Sequence, residues 1–425
     1  MAALTRKGFA ARPACGCRQT GKVQEYRAVP RAFPRLKLPR EARLPLNNAN
    51  RTHNPDIAEK CYWAVFKHLQ TTVMTSDDGT RGMGKGDLKS AGLTPRERFR
   101  RVMAFEKPDG RLPMVEWAAW WDKTTDRWKT EGLSTDLDWE GTLRNFGLDV
   151  LICVGASPHS AVIQNQADYD RIKLGLYSEE NIAGAVRHAV SLRERHARGE
   201  VIIRFWLDGF FWYPRRLFGI ENHLYAFYDH PELMHQINRD LTDFNIKSLN
   251  ALLDVLTPDM VGFAEDMSYN NGPMLSKEAF DEFLLPYYRQ VVPVAKARGV
   301  PVMVDTDGML EDMIPWLLTA GIDGIYPLER QSGVDVTRIR KNYPRLLMMG
   351  GYDKMVMNKG EAPMRAEFER LLPVMRSGGY VPSVDHQTPP GVSLENYRTY
   401  IRLFGEYAAR ACDTRVPSVS SGIAE

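Results

Sequence analysis

From about residue 93 to residue 412 the chain alternates between two hydrophobic rhythms. Short, nearly uncharged apolar runs are separated by stretches in which apolar residues recur three and four apart. Runs of the first kind predict strands buried on both faces, and stretches of the second predict amphipathic helices. The clearest unit is VPVMVDTDG (300–308) followed by MLEDMIPWLLTAG, which reads as strand, acidic tip, glycine turn and helix. Eight segments qualify as strands: RLPMVEW (111–117), DVLICVG (149–155), VIIRFWLDG (201–209), DMVGFAEDM (259–267), VPVMVDTDG, DGIYPLE (323–329), LLMMGGYD (346–353) and GYVPSVDHQ (379–387).

Helices are predicted between nearly all of them. Thr94-Pro95-x-Glu97 opens ERFRRVMAF, with proline at the first helical position and glutamate at the third. Others are expected in the Trp-rich segment WAAWWDKTTDRW, over 179–199, over 220–256 with a break at Asp229-His230-Pro231, over 276–298 and 361–376, and from Ser393 onward. The alternating IQNQADYDRI (163–172) predicts a strand or hairpin excursion. Eight alternating βα units imply an α/β protein, a single (β/α)8 TIM barrel. A doubly wound sheet is disfavoured because no G-x-G-x-x-G follows a strand.

Residues 1–92 break the rhythm. They are rich in Arg, Pro and Ala and poor in apolar periodicity, apart from a short amphipathic patch, DIAEKCYWAVFKHLQ. They are expected to be a disordered extension, or the product of a mis-assigned start with initiation near Met74 or Met83. A flexible tail is expected over 413–425. The net charge of +3 is local to this extension, since residues 1–51 hold twelve Lys or Arg against Glu25 and Glu41 alone. The body is therefore acidic, which argues against nucleic acid as a partner. Five scattered cysteines without CxxC spacing argue against a disulfide framework or a thiolate cage and fit a reducing, cytoplasmic setting. No apolar run approaches the ~20 residues of a membrane span.

In a barrel the strands' carboxyl ends share one mouth. Here those ends carry Glu116, Gly155, Asp208, Glu265-Asp266, Asp305 and Asp307, Glu329, Asp353 and Asp385-His386. Period-two alternation puts Asp305 and Asp307 on the same side and lets only one of Glu265 and Asp266 face the mouth. Asp208 and Asp353 could equally cap the helices that follow. Cys153 reads as core filler, and Arg204 and Arg330 are the cations nearest the tips. So many carboxylates with one imidazole suit a divalent cation, a cationic substrate or acid–base chemistry.

The body also resembles the uroporphyrinogen decarboxylase-like superfamily, through LTPRERFRRVMAFEKPDGRLP, GFAEDMSYNNGPMLSKEAFDEFLLPYYR, VDTDG, GIDGIYPLE, MMGGYDK and GGYVPSVDHQTPPGVSLENYRTY. That group has a single (β/α)8 barrel and includes decarboxylases and corrinoid-dependent methyltransferases. The decarboxylases' RQAGR segment is replaced by EWAAWWDKTTDRW, and their FSD motif by Val154-Gly155-Ala156-Ser157. An RQTGK look-alike at residues 18–22 precedes the first helix and reads as coincidence. The methyltransferase branch binds zinc through His-x-Cys and a further Cys, whose counterparts here are Asp305, Asp307 and Asp385 or His386.

The resemblance therefore implies a methyltransferase that takes a methyl group from a small methylated or methoxylated compound, assisted by a divalent metal, zinc by analogy. The acceptor would be a corrinoid on a separate protein, and a homodimer is also allowed. Expected metal ligands are Asp305, Asp307 and His386. Asp307, Glu329 and His386 are expected to be catalytic, and Glu116, Trp117, Asp266, Tyr326 and Asp353 to bind substrate. The alternatives are a carboxy-lyase acting on a tetrapyrrole or other acid, and a non-catalytic ligand-binding barrel or helper subunit.

Overall fold

A computed structural model describes residues 92–118 and 120–413, all within the second of two compact units, Val65–Glu425. The expected extension, its amphipathic patch and the tail beyond Asp413 lie outside the described residues. Seven parallel strands form one sheet: β1 (Leu151–Val154), β2 (Ile202–Asp208), β3 (Met260–Ala264), β6 (Val302–Asp305), β7 (Gly324–Tyr326), β8 (Leu347–Tyr352) and β9 (Tyr380–Val384). They lie side by side in chain order, and helices connect each to the next. A two-stranded antiparallel hairpin, β4 (Ser268–Tyr269) with β5 (Gly272–Pro273), follows β3. All residues of β2, β3, β6, β7, β8 and β9 are buried, as their unbroken apolar runs require.

The segment predicted as the first strand, 111–117, forms no ladder. It runs between the two edge strands instead. The Asp149 amide donates to the Met114 carbonyl at 2.7 Å, the Trp117 amide to Ser383 Oγ at 3.4 Å, and Trp117 Nε1 to the Val384 carbonyl at 2.8 Å. Pro113 has no N–H to give, and the amides of Leu112, Met114 and Trp117 go to the Ala408 carbonyl, the Asp149 carboxylate and Ser383 Oγ instead of to a ladder. A second correction concerns 163–172, expected as a strand or hairpin. It forms the helix Gln166–Leu176, opened by Asn165, whose side chain accepts from the Asp168 amide. Polar alternation there is a solvated helix with Tyr169 and Leu176 turned inward. The helix Trp139–Asn145 is capped in the same way by Asp138.

At the opposite end from the tips, two buried aspartates tie the layers together. Asp259 takes Arg96 Nε at 2.8 Å, His196 Nε2 at 2.9 Å and the Ile203 amide at 3.0 Å. Asp149 takes Arg98, both terminal nitrogens of Arg111 and the Met114 amide, at 2.7–2.9 Å. Burial alone would raise the Asp149 carboxyl, but Arg111, Arg98 and the Met114 amide hold it below the usual carboxylate range. Replacing Asp149 by Ala leaves two guanidinium groups without their acid. The expected cost is about 3–5 kcal/mol, as for other broken buried ion pairs, and a fall in Tm of roughly 5–15 °C. Because the folded-state pKa is depressed, the wild-type advantage is complete at neutral pH. It disappears as pH falls below ~4, through that pKa. Thermal melts of both proteins at neutral and acid pH check this.

Among the described residues no helix is long and apolar enough to cross a membrane.

Candidate functional site

Six strands end in the acids and the histidine that the alternation predicts, so their side chains converge beyond one edge of the sheet. Asp305 closes β6 and is buried, with its carbonyl accepting from the amides of Glu265 and Asp266. Burial raises its carboxyl well above the usual range, and the neighbouring carboxylates of Asp307 and Asp266 raise it further. Arg204 and the His386 imidazole oppose that rise. Asp266 sits in a left-handed backbone conformation, φ 48°, which aspartate tolerates better than most residues. Burial and Asp307 hold it up at about 6, against the pull of Arg215.

Asp307 meets His386 directly, with Oδ2 3.4 Å from Nε2. Burial by itself would push the imidazole down. The charge and hydrogen bond of Asp307 override that and hold it up at about 9. Trp117 stands edge-on to His386, ring centres 5.9 Å apart, and edge-on to Tyr326 at 5.5 Å. Tyr326 crosses the interior to Gly262, where an added Cβ would lie 2.4 Å from its hydroxyl. The Arg204 guanidinium stacks between Trp206, at 4.5 Å, and Tyr326, at 5.5 Å. Cys153, expected as core filler, lies beside Arg204, Tyr326 and Asp305, and burial pushes its thiol up.

On the other side, Lys354 Nζ lies 3.3 Å from Glu329 Oε1 and 3.4 Å from Asp385 Oδ1. Glu329 also takes the Gly308 amide at 3.2 Å and Ser332 Oγ at 3.1 Å, which ties the tip of β7 to that of β6. Asp385 is fully buried and takes the amides of Arg330 and Lys354. Burial raises it to about 6, although Lys354 and those amides oppose this.

The structure thus gathers Asp266, Asp305, Asp307 and His386, with Trp117 beside the histidine, Tyr326 beside Trp117 and Glu329 joined through the Gly308 amide. Two expected substrate contacts lie apart. Glu116 is buried between the last helix, Leu394–Cys412, whose Tyr397 Oη donates to it at 3.2 Å, and β9, whose Ser383 Oγ donates at 3.3 Å. Burial holds that carboxyl up at about 8. Asp353 accepts from the Met355 amide and from Gln331 Nε2, capping the short turn Lys354–Val356.

Three further cations join the site beyond those the strand tips single out. Arg215 Nη1 donates to the Asp266 carbonyl at 3.0 Å, Arg216 Nη1 to Asp208 at 3.2 Å, and Lys354 bridges two acids. The available signal was position, since each lies within the first turns after a strand tip. Arg330, a candidate cation, instead turns its guanidinium to the Val334 carbonyl at 3.2 Å.

The expected ligand set does not fit a metal in this arrangement. Among the described residues no group of three or more His, Cys, Asp or Glu side chains is placed to hold one.

Comparison with known proteins fits this geometry. The family model for uroporphyrinogen decarboxylase (URO-D) matches residues 126–407. The uroporphyrinogen decarboxylase of Saccharophagus degradans is 28% identical over 189 residues, 43% of this chain and 51% of that protein. That of Chlorobium limicola is 24% identical over 273 residues, 59% of this chain and 72% of that protein. The chain spans about half the length of the first of these relatives. Among solved structures, a methyltransferase from Methanosarcina mazei superposes with a TM-score of 0.55 at 13% identity, covering 74% of this chain and 99% of that one. That likeness is one of fold. With the family model spanning more than half of its residues, the chain belongs to the uroporphyrinogen decarboxylase family.

Proposed function

We propose that this protein is a methyltransferase that removes a methyl group from a small, uncharged or cationic methylated or methoxylated compound. The observation carrying the proposal is that four cations of the mouth already face acids of the chain itself. Arg215 is engaged by Asp266, Arg216 by Asp208, Lys354 by Glu329 and Asp385, and His386 by Asp307. A multiply anionic substrate would have to break these pairs, at a cost that grows as the cleft dries.

The chain's own residues supply binding and a proton. Trp117, half-buried beside His386 and backed by Tyr326, offers its ring to an apolar substrate body. Asp307 orients the imidazolium by its Nε2, so Nδ1–H is the proton left to donate. As the bond between the methyl carbon and its oxygen or nitrogen breaks, the electron pair stays on the heteroatom, which takes that proton. Beyond Asp307, the charge of Glu329 favours the charged imidazole before transfer. A corrinoid on a separate protein would supply the nucleophile that receives the methyl group. In the same reading the segment 112–117 takes the place of an eighth barrel strand, seating Trp117 at the mouth.

The test is methyl transfer from a methoxylated donor to added reduced cobalamin, followed by its absorbance change. Decarboxylation is the second reading, favoured by the names of the curated relatives. We expect no conversion of uroporphyrinogen to coproporphyrinogen, measured by chromatography of the oxidised products. Stoichiometric conversion would overturn methyl transfer in favour of the carboxy-lyase.

A further inference from the structure

The turn after β2 is held from both sides by buried side chains that the proposed chemistry does not use. Glu265 accepts from three successive amides, those of Phe210 (2.8 Å), Phe211 (2.8 Å) and Trp212 (3.1 Å), and also from the Tyr288 hydroxyl. The carboxylate sits so close that a Cβ on Gly209 would lie 2.1 Å from its Cδ, so only glycine fits there. On the other side, the helix Pro231–Leu253 takes up the turn's carbonyls. Asn245 Nδ2 donates to the Asp208 carbonyl at 3.0 Å, and Asn238 Nδ2 to the Phe210 carbonyl at 3.1 Å. A turn with amides and carbonyls both fixed has little freedom left.

That turn leads directly into Arg215 and Arg216. Arg215 Nη1 donates to the Asp266 carbonyl at 3.0 Å and lies 3.8 Å from its Oδ2, and Asp266 is the residue held at φ 48°. Asp266 in turn faces Asp307, the partner of His386.

We propose that Glu265 is a positioning residue of the mouth: through the 210–212 turn it sets Arg215 on Asp266, and so fixes the carboxylate that faces Asp307 and His386. Glu265 and Asp266 are adjacent, so one dipeptide supplies both the anchor of the turn and the group the turn holds in place. This rests on the reading of the mouth given above, but its test does not use turnover.

The experiment is NMR of the full chain with isotope-labelled histidine, the His386 signal being assigned by its loss in His386→Gln. Hydrogen exchange of the 210–212 amides is measured alongside. In Glu265→Gln we expect those amides to exchange at least about tenfold faster, and the His386 ring signals to move. In Arg215→Met we expect the His386 signals to move in the same direction with the amides still protected. His188, on the helix Glu179–Ala197, serves as the unmoved control. If Glu265→Gln does not fold, Glu265→Asp, which keeps the charge but draws the carboxylate back from the turn, takes its place with the same two readouts. Unmoved His386 signals in Arg215→Met, or open amides with unmoved His386 signals in Glu265→Gln, overturn the proposal. Absence of methyl transfer in the wild type counts against the proposed function and leaves this result standing or falling by the resonances.

Discussion

Asp307→Ala is expected to lower methyl transfer by about a thousandfold while leaving the melting temperature nearly unchanged. The size follows from what a positioned acid–base group contributes, ~10²–10⁴-fold. It lies at the middle of that range, above its floor, because Asp307 does two things at once. It orients the imidazole through Nε2 at 3.4 Å, and its charge keeps that ring protonated against burial. Without it His386 is neutral at pH 7 and free to turn, so proton and direction are lost together. Stability changes little because both side chains are part-exposed, and pairs reached by solvent contribute little. Single-turnover methyl transfer with a thermal melt of the same preparation decides the matter. A variant with near wild-type rate would remove His386 and Asp307 from the chemistry.

The second large effect is in the pH profile. In the wild type the rate should hold up to about pH 9 and fall above it, as His386 gives up the proton it is meant to donate. In Asp307→Asn the shape of the partner is kept but its charge is gone. Burial then acts unopposed, and the alkaline limb should move down to ~6.5 or below, the ordinary histidine value or less. The sign of the stability linkage is the same. A histidine whose folded-state pKa is raised contributes its stabilisation fully below ~6.5 and loses it as pH rises through about 9. An alkaline limb in the same place in wild type and Asp307→Asn would show that another group sets it.

Periodicity made the strand–helix order readable, because burial on both faces allows only apolar runs and these end where polar tips begin. The strands over 149–155, 201–209, 259–267, 300–308, 323–329, 346–353 and 379–387 each contain an observed member of the sheet. The two segments misread, 111–117 and 163–172, are short and mixed in polarity, where alternation does not separate strand from helix or extended chain. Their fate was set by partners far along the chain, Ser383 and Val384 for the first and Gln236 and Asp240 for the second.

By itself, the sequence determined which residues crowd the strand tips, since period-two alternation and strand order are local properties. Only the tertiary structure decided what each tip acid does. Glu116 turned outward to Tyr397, Asp353 became a cap, Asp385 became an anchor for two backbone amides, and Glu265 took hold of the turn after β2. That left Asp266, Asp305, Asp307 and His386 to share one neighbourhood. The physical reason is that a carboxylate's role follows from which donors come within about 3 Å of it, and here those donors come from residues up to 281 positions away in the chain.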